Sequence, residues 1–84
     1  MITVYKIQGW VIRHSRKNGI TYFLNESKFF YDFDSAMDTF NTLRNQVELT
    51  VQSGKNRKGF CTLVKCTGEK GHIFSGEEII RHEY

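Results

Sequence analysis

Long apolar runs are missing from this chain. The longest falls far short of the roughly 20 residues that a membrane-crossing helix needs, which excludes a helical span. Met1-Ile2-Thr3-Val4-Tyr5-Lys6 lacks the charged region and apolar core of a secretory leader and reads as a strand instead. Cysteine is scarce as well, with Cys61 and Cys66 alone. On one extended strand their Cα atoms would stand about 16 Å apart and, at an odd offset, on opposite faces. A disulfide needs Cα atoms within about 7 Å, so the spacing excludes a bridge between the two. Free thiols fit a reducing compartment, hence the cytoplasm. Asn25-Glu26-Ser27 is a formal glycosylation sequon and, without a secretory signal, a chance match. Proline is absent and alanine occurs once, at Ala36, while Lys, Asn, Ile, Phe and Tyr are abundant. That bias matches AT-rich coding, and a short proline-free chain has the style of small bacteriophage accessory proteins.

Catalytic and metal-binding patterns are lacking too. His14, His72, His82, Cys61 and Cys66 show neither Cys-x-x-Cys nor His-x-x-x-His spacing, so no metal or other cofactor is expected. Glu77 and Glu78 are adjacent and would point opposite ways in a strand. Gly68-Glu69-Lys70-Gly71 lacks the length and the Lys-Ser/Thr ending of a phosphate loop. Nothing places Ser, His and Asp together, and a binding module is expected rather than an enzyme.

What is present suits one small folded domain over residues 1–84. A chain of this size buries only about 60% of the surface its unfolded form exposes. Seven Phe, four Tyr and one Trp supply large apolar area per residue to compensate. Residues 2–14 have the composition and period of a strand. Gly9 in their middle reads as a bulge that switches the buried face from Tyr5 and Ile7 to Trp10, Ile12 and His14. Lys17-Asn18-Gly19 marks a turn. A three-residue loop pairs Arg16 with Ile20, His14 with Tyr22 and Ile12 with Leu24, like with like, whereas a one-residue slip inverts every side chain. The second strand then covers residues 20–25, with Ile20, Tyr22 and Leu24 inward. Residues 25–33 connect to a helix, as a loop or with an extra short strand.

Asp34 or Ser35 can cap that helix, with Ser35 and Asp38 as an acidic capping box. Asp32, Asp34 and Asp38 favour the positive end of its dipole. Ala36, Met37, Phe40, Leu43 and Val47 share one face, and the helix is expected over residues 34–46. Val47, Leu49 and Val51 alternate with polar residues and read as a third strand over residues 47–52. A loop follows to Gly59, then a strand over 60–67, a turn at Gly68 to Gly71 and a strand at 72–74. Residues 76–84 suit either a last strand or a short helix. The expected class is α+β: an antiparallel sheet of four to five strands with one amphipathic helix on one face, ordered β-β-α-β-β plus a short C-terminal element.

Positive charge gathers where the chain reverses. Arg13, Arg16 and Lys17 crowd the first hairpin tip, with His14 among them, and Lys55, Arg57 and Lys58 crowd the second, in the loop between the third strand and the next. These are half of the twelve Lys and Arg residues, a concentration that the net charge of +3 understates. Basic loops suit phosphate contacts, so nucleic acid is the expected partner, RNA ahead of DNA. Two geometries are open. A helix running straight back from the second strand puts the tips at opposite ends of the sheet; a connector that first crosses the domain puts them on one edge. Nine extended residues span about 30 Å, enough for the crossing.

Lys58-Gly59-Phe60-Cys61 resembles the opening of the central octapeptide of the RNA-recognition motif, basic-Gly-aromatic-small, and Ile20-Thr21-Tyr22-Phe23-Leu24-Asn25 resembles its shorter strand motif. The resemblance implies Phe60 or Phe23 as a stacking platform beside basic residues. Thr62 and Lys65 stand where that family has aromatics, and the family's order needs a second helix. Phe29, Phe30 and Tyr31 form a separate aromatic run that could contact another protein or a second copy of this chain. The alternative reading is therefore a phage-style accessory protein that binds and inhibits a host protein.

Overall fold

In a computed structural model, which describes residues 1–69 and 72–84, four strands and one helix follow in the order β1 (Ile2–Ser15), β2 (Gly19–Phe30), α1 (Phe33–Gln52), β3 (Arg57–Glu69) and β4 (His72–Glu83). The strands form one antiparallel sheet, spatially β2-β1-β3-β4. The helix lies across β1, β3 and β2 on one face. This is the expected α+β arrangement of one helix on an antiparallel sheet. Its two layers make an elongated slab of 45 × 25 × 15 Å.

The core is the helix stripe Ala36, Phe40, Leu43 and Val47 against Ile7 and Val11 of β1 and Cys61 and Leu63 of β3. Gly9 lies on that buried face between Ile7 and Val11, and no face switch occurs there. A Cβ on Gly9 would meet the Leu43 side chain at 2.9 Å, and one on Gly59 would meet Val47 and Val51 at 2.7 Å. The glycine in mid-strand therefore answers to the close approach of the helix, and Trp10, Ile12 and His14 alternate onto the opposite face. The bulge falls between Val11 and Ile12, where Phe23 of β2 is the extra residue: Val11 pairs with Leu24 and Ile12 with Tyr22.

The first turn occupies residues 16–18, closed by Ser15 opposite Gly19. The loop has three residues, as expected, but His14 pairs with Ile20 instead of Tyr22. Gly19 takes φ +71°, and the Ser15 hydroxyl accepts the Lys17 and Asn18 amides at 3.3 and 3.4 Å. Leu24 is inward, against the core, whereas Ile20 and Tyr22 stay exposed on the far face. Within residues 25–33 there is no separate strand: β2 continues to Phe30, opposite Tyr5, and only Tyr31 and Asp32 form the bend that leads into the helix at Phe33.

The helix cap is Asp32, not the expected Asp34 or Ser35. Its carboxylate accepts the Ser35 amide and hydroxyl, both at 2.9 Å, and these bonds hold it below its ordinary pKa. The helix absorbs residues 47–52, which the alternation assigned to a strand. Val47 and Val51 are four apart and share the inner face, and Leu49 is left exposed. Tertiary packing there overrides the β-branched preference for strands. Residues 76–84 resolve as strand: β4 carries the pairing to Glu83, and Tyr84 exchanges 2.9 Å backbone bonds with Gly59. Gly68 and Glu69 extend β3, while Lys70 and Gly71 of the expected turn lie outside the described residues. After α1 the described residues add only strands, so the second helix of the RNA-recognition motif has no counterpart among them.

Candidate nucleic-acid interface

The two basic tips meet at one end of the sheet. Because β2 runs the length of β1, α1 begins at the far end, where Phe33 packs edge-on to Tyr5 at 5.3 Å. Twenty helical residues return about 30 Å along the sheet, and the chain re-enters it with Arg57 opposite Arg13 and Lys58 opposite Ile12. The loop before β3 therefore lies beside the end of the sheet that carries the turn at residues 16–18. Arg13, Arg16, Lys17, Lys55 and Lys58 are all exposed. Among the described residues the ion pairs join Arg81 to Glu78 and Glu83, and none involves these five cations.

Arg57 differs from the other five. It is half-buried, and its Nη1 donates to the Thr50 carbonyl at 2.8 Å and to Ser53 Oγ at 2.9 Å. No basic residue occupies the last helical turn, so this guanidinium supplies the positive charge that favours the helix C-terminus. It also stacks 3.7 Å from the Phe23 ring centroid, with Arg13 at 5.4 Å from the same ring. Gly54 leaves the space: a Cβ there would meet the Arg57 guanidinium. Asn56, with φ 58°, completes the tight connection.

The face away from the helix carries an arrangement that sequence reasoning missed. Trp10 of β1 stacks on Phe60 of β3, with centroids 5.0 Å apart and planes at 17°. On the other side Arg81 of β4 lies 4.7 Å from the Phe60 centroid. Arg81 is held in turn by Glu83 at 2.8 Å and Glu78 at 3.1 Å. Phe60 therefore stands between two neighbours, and Phe23 is covered by two arginines. Neither ring is the open platform that the strand resemblance implies. The signal for this face was available: Val4, Trp10 and Ile12 are apolar at positions that alternate with Tyr5, Ile7 and Val11, so β1 is apolar on both sides.

Phe29, Phe30 and Tyr31 point in different directions yet border one groove. Phe30 turns to the core, Phe29 to the uncovered face, and Tyr31 projects past the strand. With Ile2, Val4 and Cys66 they line a shallow groove of about 390 Å³ at the end of the sheet far from the basic loops. Cys61 and Cys66 are both free thiols on opposite faces of β3. Burial among apolar neighbours pushes the Cys61 thiol up to about 11, partly offset by Arg44. Among the described residues no cluster of His, Cys, Asp and Glu is placed to hold a metal, and no helix is long and apolar enough to cross a membrane. No family model, no curated protein and no solved structure matches this chain.

Proposed function

We propose that this chain is a non-catalytic nucleic-acid-binding module that grips the phosphate backbone at one end of its sheet, RNA ahead of DNA. The observation that supports it is the convergence of both basic loops on that end, with none of their five exposed cations in an ion pair among the described residues. Arg13, Arg16, Lys17, Lys55 and Lys58 are the contacting groups, and Arg57 holds the loop that presents two of them. The covered faces of Phe60 and Phe23 favour backbone contact over base stacking.

The test is fluorescence anisotropy of labelled single- and double-stranded RNA and DNA across a salt series. Affinity is expected to fall steeply with salt, and each contacting residue changed to Gln to lower the logarithmic slope by about 0.7–0.9. A variant with all five changed that binds as well as the parent would end this reading.

A further inference from the structure

The uncovered sheet face carries an inference that does not rest on nucleic-acid binding. Ile2, Trp10, Ile12, Tyr22, Phe29 and Val64 alternate onto it from β1, β2 and β3, interrupted across the middle by the polar row Ser27, Gln8 and Thr62, and among the described residues no element lies over it. Tyr22 is 58% exposed and Phe29 56%. A sheet with apolar residues on both faces leaves one unburied when a single helix covers the other. Large exposed apolar side chains set among polar ones mark interaction surfaces.

We infer that this face is the interface of a homodimer, closed by a second copy packing sheet against sheet. Area is the first argument. Four strands about 4.8 Å apart and about 40 Å long present roughly 750 Å² in projection. Two such faces together reach the standard interface size of about 1,600 Å². Charge is the second. Glu78 and Glu83 are already paired with Arg81, and Lys6 lies over the Phe29 ring at 5.8 Å, so the middle of the face has no large field of one sign. A face on which Lys6, Lys58 and Arg81 stand beside Glu78 and Glu83 is near neutral and complements a second copy of itself better than a partner of one strong sign. Among the loop cations the strand register puts Lys58, opposite Ile12, at the loop end of this face. The dimer is an α-β-β-α sandwich with the two sheets about 10 Å apart.

Sedimentation equilibrium on nuclease-treated protein tests this over a range from ~1 to ~100 µM. The parent is expected at twice the 9.9 kDa of one chain. Tyr22→Glu with Phe29→Glu, at exposed positions the monomer does not need, is expected to shift the mass to one chain with an unchanged far-ultraviolet spectrum. Leu49→Glu, at an exposed position on the helix, is expected to leave the dimer intact. A parent that stays at one chain mass throughout overturns the inference. So does a double variant that remains dimeric, which would move the contact to a strand edge, or dissociation by Leu49→Glu. Association that disappears with nuclease treatment also overturns it. Anisotropy with RNA separates this outcome from the functional reading, because the double variant retains every loop cation.

Discussion

At the scale of single residues, two cations one position apart do different work. Arg57 and Lys58 are neighbours in sequence, and strand alternation sends them to opposite faces. Arg57 reaches back to the helix terminus; Lys58 is exposed. Arg57→Gln is expected to cost about 1.5–3 kcal/mol, the range for hydrogen bonds to a charged group. It should leave the salt slope of RNA binding nearly unchanged. Lys58→Gln is expected to do the reverse. Urea unfolding and the anisotropy series on the two variants check this, and an Arg57 variant of undiminished stability would contradict it. Composition groups these residues as one basic run, and only the pleat separates them.

At the scale of elements, the helix sits where two glycines let it. Gly9 and Gly59 lie under Leu43, Val47 and Val51, and each added Cβ would intrude on them. Gly9→Ala and Gly59→Ala are each expected to destabilise by about 1–3 kcal/mol through overpacking. A double-mutant cycle with Val47→Ala is expected to show coupling at Gly59 and none with a substitution at Gly19, which has nothing within 4 Å of its Cβ position. Equal destabilisation by Gly59→Ala in the parent and in the Val47→Ala variant would contradict the close-approach account. The same packing explains the helix boundary. Val47, Leu49 and Val51 satisfy a period of two over five residues, yet Val47 and Val51 equally satisfy an i, i+4 step. Such a short segment holds both readings until a partner surface selects one. By contrast, the helix stripe from Ala36 to Val47 was legible, because its apolar spacing fits a helix and no strand.

For the whole molecule, the pH response follows from what the fold buries. The Cys61 thiol is raised from its ordinary 9.0 to about 11. The unfolded chain releases that proton first, so the contribution to stability is full below pH 9.0 and is lost as pH rises through about 11. Tyr84 adds in the same direction, its hydroxyl raised first by burial and then by Glu48. The urea midpoint is expected to fall across this window in the parent and to fall less in Cys61→Ala. An identical alkaline slope in both would show that the thiol is not the source.

The sequence by itself determined the fold class, the helix stripe, the clustering of charge at reversals and the opposite faces of the two cysteines. Each of these depends on local periodicity or spacing. Tertiary structure alone decided that β2 runs to Phe30 and brings both basic loops to one end, that the Arg57 guanidinium serves the helix terminus, and that Trp10 and Phe60 stack on the uncovered side. These are set by which surfaces meet across the sheet. A single chain read along its length carries the side-chain alternation of every strand but does not say which of the two faces the helix will cover.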